Sequence, residues 1–169
     1  GLGYDDKEAG EVWQRLNPET FTIVRDPLDR LISGFISKVF TESSKNPTYV
    51  QLRERLTVQH GVDLSRNRQP KTSILQFVKW LETKNLPKAD RHFRPQYYNL
   101  AADRKFKIGQ IFRLDRKDDI NTFLAKHLPG DELKVFLEGK YNESCGFAKS
   151  DFMSDELISI VRRLYQADY

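Results

Sequence analysis

The sequence predicts an α/β domain in which a parallel sheet is flanked by helices, and three observations predict it. A β-branched, aromatic run, "TFTIV" from Thr20, passes directly into an amphipathic helical pattern. A second such run, "KIGQIFRLD" from Lys107, is followed by another helical pattern. Strands that alternate with helices pair in parallel, because a parallel partner needs a crossover of helix length. The third observation is size: 169 residues, 38% hydrophobic and 12% aromatic, are enough for one buried core and no more than one domain.

The elements follow in chain order. "KEAGEVWQRL" (7–16) reads as a short helix, and "TFTIV" as the first strand. At "RDPLDRLISGFISKVF" the chain turns into a helix: Asp26 is an N-cap, Pro27 fits the first helical position, and Asp29 favours the positive end of the helix dipole. Leu28, Leu31, Ile32, Phe35, Ile36, Val39 and Phe40 fall at spacings of three and four, a stripe expected to pack on the sheet. "YVQLRERLTVQHG" has partial helical spacing and a His-Gly stop. "VDLSRNRQPKTS" reads as an exposed loop, and "SILQFVKWLETKN" as a helix with a broad apolar face. After the second strand, "DDINTFLAKHLPG" has an acidic start and a Pro-Gly stop. "MSDELISIVRRLYQADY" is the last helix, opened by Ser154. Two strands are few for a sheet, so further strands or a larger parent domain are expected.

Charge narrows the class of ligand. The net charge is +4, yet seven basic and two acidic residues between Lys84 and Lys107 leave the rest of the chain near −1. A basic field of this kind suits an anionic ligand or a solvated charged face. Nucleic acid is not expected as the partner, because no helix-turn-helix, zinc-finger or aromatic strand motif accompanies the charge. The single cysteine, Cys145, forms no internal disulfide and reads as a passive thiol in a reducing compartment. No apolar run is long enough to span a membrane, and no Cys/His/carboxylate cluster has zinc spacing, so neither membrane span nor metal is expected.

Arg25 stands where the first strand ends and the next helix begins. In an open parallel sheet the ligand crevice lies outside the carboxyl ends of the strands. There a guanidinium can grip a phosphate bidentately, helped by a hydroxyl such as Ser33 on the following helix. The alternative is that Arg25 pairs with Asp26 or Asp29 and that Ser33 is a plain surface residue.

"VRDPLDRLISGF" resembles the 3′-phosphate-binding motif of the carbohydrate sulfotransferases, the Golgi-type family with bacterial relatives that uses 3′-phosphoadenosine 5′-phosphosulfate (PAPS). "DRHFRPQYYNL" resembles the family's His-aromatic-x-Pro-Gln segment, on His92, Phe93, Pro95 and Gln96, and "LISIVRRLYQADY" resembles its terminal helix, on Leu164, Tyr165, Asp168 and Tyr169. The resemblance implies a three-layer, P-loop-like sulfotransferase fold over 1–169. It implies Arg25 and Ser33 as ligands of the donor's 3′-phosphate, and it places Arg30 on the pattern's second arginine. The implied reaction carries a sulfuryl group from PAPS, without a metal, to a hydroxyl, expected to belong to a carbohydrate. The family's other signature, an upstream loop with Lys and Ser or Thr for the 5′-phosphosulfate, is not found in residues 1–19. The expectation is therefore a single domain truncated at both ends and incomplete at its N-terminus. Without that loop the alternative function is a non-catalytic nucleotide- or polyanion-binding module. Animal members act in the Golgi lumen, whereas this chain is expected in the cytoplasm, like a bacterial relative.

Sulfuryl transfer needs cationic stabilisation and a base for the acceptor hydroxyl. His60 and His127 sit at apparent helix ends, where capping accounts for them. His92 lies between Arg91 and Arg94, cations expected to lower its pKa and keep it able to accept a proton. It is the candidate base, with packing on Tyr97 as the alternative. Arg91 and Arg94 are the candidate contacts for an acidic acceptor. Core packing is expected for at least one of Tyr97 and Tyr98, and the loop bearing Arg66, Arg68 and Lys71 is either acceptor-selecting or simply solvated. The acid usual after the second strand is left unassigned between Asp115 and the position of Phe112.

Overall fold

The structure is a computed structural model, and it describes residues 15, 20–41, 46–65, 69–102, 108–132, 134 and 147–169. The helix expected over 7–16 falls outside the described residues except for Arg15, as do Arg66, Arg68 and Cys145. Strand β1 (Phe21–Val24) pairs in parallel with β2 (Gln110–Arg113), with Phe21 opposite Gln110 and Val24 opposite Arg113. These are the two strands among the described residues. Gly109 lets the chains approach at the start of the pair, since a Cβ there would meet the Thr20 carbonyl oxygen at 3.0 Å.

The helix starts follow their local chemistry. In α1 (Pro27–Phe35) the Asp26 carboxylate accepts from the Asp29 amide at 3.0 Å, and Pro27 opens the first turn. A π-helical turn, Ile36–Phe40, extends α1 until the Thr41 hydroxyl donates to the Ile36 carbonyl at 2.8 Å. Helix α2 (Pro47–His60) is capped by Asn46 and ends at Gly61, whose φ of 62° lies in the left-handed region that glycine adopts without strain. Helices α3 (Pro70–Glu82), α4 (Gln96–Ala102), α5 (Lys117–Leu124) and α6 (Asp155–Leu164) follow. In α6, Ser154 caps the Leu157 amide while Asp155 and Glu156 occupy the first turn and Arg162 and Arg163 the last, in the sense the dipole favours.

The stripe on α1 is buried, but not on the sheet as its spacing had suggested. Leu31, Ile32, Phe35, Ile36, Val39 and Phe40 share one core with Ile74, Phe77 and Val78 of α3, Leu157 and Val161 of α6, and Phe93, Phe152 and Tyr165. Phe35 meets Phe77 at 5.0 Å between ring centroids, and Phe77 meets Phe93 at 4.9 Å. The physical reason is that α3 and α6 offer the stripe a larger apolar surface than two four-residue strands do. Ile23 and Phe112 pack with Ile120, Phe123 and Leu124 of α5 in a separate cluster. Among the described residues no helix is long and apolar enough to cross a membrane.

Candidate functional site

The site is built where β1 hands over to α1. Arg25 follows the last strand residue and is half-buried. Its peptide group is held on both sides by one side chain: the Arg25 amide donates to Gln96 Oε1 at 2.9 Å, and Gln96 Nε2 donates back to the Arg25 carbonyl at 2.7 Å. A reciprocal amide pair of this kind fixes the backbone position from which the guanidinium projects. Both acids proposed as its partners are engaged elsewhere. Asp26 caps α1, and Asp29 accepts from the Lys149 ammonium at 2.5 Å. The Arg25 guanidinium has no ion pair among the described residues. Ser33, two turns along α1, is half-buried and its hydroxyl also has no partner among them.

Gln96 is itself positioned from the far end of the chain. The Asp168 carboxylate accepts from the amides of Gln96 at 2.7 Å and Tyr97 at 2.8 Å, supplying the N-terminal cap of α4. Tyr165, almost fully buried, donates its hydroxyl to the Phe93 carbonyl at 2.5 Å. Burial pushes its phenol well above the ordinary tyrosine value, so it stays a neutral donor. Arg30 completes the frame. One end of its fork donates to the Arg94 carbonyl at 2.7 Å and the other to the Arg91 carbonyl. Burial lowers its pKa, against the opposing pull of Tyr165 and Asp168, yet a guanidinium remains charged. Arg30, Tyr165 and Asp168 thus hold the carbonyls of Arg91, Phe93 and Arg94 and the amides of Gln96 and Tyr97, a segment that in turn holds Arg25.

His92 lies on that segment, against α1. Gly34 permits the approach: a Cβ on it would stand 3.4 Å from the His92 carbonyl oxygen and 3.3 Å from Phe93 Cε1. The ring's partners are not the cations that flank it in sequence. Nδ1 lies 2.8 Å from Asp90 Oδ1 and 3.0 Å from the Tyr49 hydroxyl, which donates to Asp90 Oδ2 at 3.4 Å. With the Nδ1 proton assigned to the Asp90 carboxylate, Nε2 carries the lone pair. Burial alone would raise the Asp90 carboxyl, but the amide and ring of His92 outweigh it and hold it below the usual carboxylate range. Desolvation, then Asp90, raises the Tyr49 phenol.

The remaining candidates divide. Arg94 turns its guanidinium onto Asn99 Oδ1 at 2.8 Å and toward the Pro87 carbonyl at 3.5 Å, while the exposed Arg91 side chain has no hydrogen bond or ion pair among the described residues. Tyr97 and Tyr98, expected in part to enter the core, are 52% and 38% exposed and meet each other edge-on at 5.4 Å. The turn into α4 directs them outward while Pro95 takes the buried position. Asp115 chelates Arg113 through both carboxylate oxygens, at 3.0 and 2.9 Å. Sequence reasoning gave no role to Arg30, Gln96, Asp168 or Tyr49. The first three lie in the quoted motifs, so the signal was present without the contact. For Tyr49 no local pattern exists.

Among the described residues, then, the Arg25 guanidinium at the strand's end has no ion pair, the Ser33 hydroxyl has no partner, and the His92 ring is engaged at Nδ1 by Asp90 and Tyr49. A family model described as the sulfotransferase family matches residues 6–169, and the chain belongs to that family. No curated protein and no solved structure matches it. Membership carries sulfonate-group transfer to a hydroxyl-bearing acceptor as the general activity. Among the described residues no group of three or more His, Cys, Asp or Glu side chains is placed to hold a metal ion.

Proposed function

We propose that this domain binds PAPS, with Arg25 and Ser33 on the 3′-phosphate, and transfers the sulfuryl group to a carbohydrate hydroxyl with His92 as general base. The observation that carries the reading is the state of Arg25: a guanidinium without an ion pair among the described residues, on a backbone pinned from both sides by Gln96. In the reaction the acceptor oxygen forms a bond to sulfur as the bond between sulfur and the phosphate oxygen breaks. The electron pair leaves with adenosine 3′,5′-bisphosphate. The hydroxyl proton passes to His92 Nε2, a transfer that contributes about 10²–10⁴ in rate when well placed. Asp90 supports this by holding Nδ1 and balancing the imidazolium as it forms. Arg91 is the acceptor-side cation, and Arg94, which is bound to its own segment, shapes that segment.

Calorimetry of adenosine 3′,5′-bisphosphate against adenosine 5′-phosphate tests the reading, on this chain and on Arg25→Ala. A charge-assisted bond of about 1.5–3 kcal/mol predicts a preference of roughly ten- to a hundredfold for the bisphosphate, absent from the variant. Equal affinity of the folded wild-type chain for both nucleotides would overturn the assignment of Arg25.

A further inference from the structure

Tyr49 belongs to no motif in the sequence, yet from the first turn of α2 it reaches the His92 ring. The residue is only 8% exposed, and its hydroxyl stands 3.0 Å from Nδ1 and 3.4 Å from Asp90 Oδ2. The other carboxylate oxygen, Oδ1, lies 2.8 Å from the same Nδ1 and also accepts from the His92 amide at 2.9 Å. A carboxylate only accepts, so Nδ1 carries the ring proton and the Tyr49 hydroxyl is left with Oδ2 as the acceptor for its own. Burial raises the Asp90 carboxyl less than its bonds to His92 lower it, and burial, then Asp90, raises the Tyr49 phenol. Near neutrality the acceptor stays ionised and the donor keeps its proton. Both partners stand on fixed backbone. The Asp90 carbonyl accepts from the Phe93 and Arg94 amides at 2.8 Å each, while α2 is held by its Asn46 cap and by Arg53, which donates to the Thr41 carbonyl at 3.1 Å. The Lys38 ammonium, 5.2 Å from the Tyr49 ring centroid, holds that ring from α1.

We infer that Tyr49 is a positioning residue for His92: its hydroxyl locks the Asp90 carboxylate against Nδ1 and so keeps the lone pair on Nε2. The inference rests on the proposed function, in which His92 is the base, and deepens it. Oδ1 is fixed by the amide of its own turn, but a carboxylate tied at one oxygen still swings about the bond that carries it. The Tyr49 bond ties the second oxygen, and the hydroxyl oxygen is a further acceptor within reach of the Nδ1 proton. Without that hydroxyl the neutral ring is free to take its other tautomer. A proton on Nε2 would then occupy the position that has to accept one from the acceptor hydroxyl.

The test reads the His92 tautomer directly, by proton–nitrogen multiple-bond spectra of the chain labelled with nitrogen-15 histidine, at alkaline pH where the imidazoles are neutral. His92→Gln identifies its signals among those of His60 and His127. The wild-type chain is compared with Tyr49→Phe, which keeps the ring and removes only the hydroxyl, and with Arg53→Ala, which unties α2 from Thr41 without touching the three bonded groups. The wild type is expected to hold the Nδ1–H form. In Tyr49→Phe the ratio of Nδ1–H to Nε2–H falls about two- to tenfold, the range that one hydrogen bond supplies, while Arg53→Ala keeps the wild-type ratio. An Nε2–H ring in the wild type, an unchanged ratio in Tyr49→Phe, or an equal fall in Arg53→Ala overturns the assignment. The tautomer is measured without donor or acceptor, so failure of the functional reading is a separate result, seen as absent adenosine 3′,5′-bisphosphate binding by the wild-type chain.

Discussion

In the helical body Phe35, Phe77, Phe93 and Phe152 are each no more than 2% exposed, whereas in the sheet Phe21 and Ile111 are 41% and 60% exposed. The body joins helices α1, α3 and α6 with the loop segments that bear Phe93 and Phe152 in one core, while the sheet shares a smaller cluster with α5. Arg25 lies on the seam. Its chain leaves the open sheet, but its peptide group is bonded to Gln96, which the Asp168 cap ties to the body. The difference teaches that the strand brings Arg25 to its carboxyl end while the helical body, through Gln96, fixes its peptide group. A four-residue strand with no fully buried residue is poorly suited to hold a side chain to the tolerance that phosphate recognition needs.

Three variants break or sharpen this comparison. The largest effect is expected for Arg30→Ala, which leaves the carbonyls of Arg91 and Arg94 without their charged donor. A loss of about 3 kcal/mol in urea unfolding is expected, with weakened binding of adenosine 3′,5′-bisphosphate as segment 91–97 loosens. Arg30→Lys restores charge without the fork and recovers less than half. Full recovery would mean that the charge, not the two-carbonyl clamp, matters. Next is Tyr165→Phe, which removes one buried hydroxyl from the Phe93 carbonyl. About 1–2 kcal/mol is expected in the same measurement, and a neutral result would remove Tyr165 from the frame. The smallest is Ile111→Thr on the exposed sheet face, within about 0.5 kcal/mol of the parent by thermal melting. A cost comparable to that of Arg30→Ala would show that the sheet is as tightly held as the body and would erase the contrast.

The elements were legible because their signals are local. Asp26-Pro27 starts α1, Ser154 starts α6 and Gly61 stops α2 through bonds that reach no further than a few residues. Helix α4 was missed because its cap comes from Asp168, more than seventy residues away. The stripe on α1 was read correctly as buried and incorrectly as sheet-facing, since periodicity shows that a face is covered but not by what. The site was legible in part. Arg25, Ser33 and His92 were named from the motifs, and the ring partners of His92 were mistaken because sequence neighbours stood in for spatial ones.

By itself the sequence determined the two strands and the described helices other than α4, the basic segment between Lys84 and Lys107, and the arginine at the end of the first strand. These depend on side-chain type and spacing along a single stretch of chain. Only the tertiary structure decided which charges are spent and which are free. Arg30 and Arg94 are consumed by carbonyls and an amide, while Arg25, Arg55, Lys84 and Lys88 are left without ion pairs among the described residues. The reason is that a charge seeks any partner within a few ångströms, and that distance is set by packing between segments far apart in the chain.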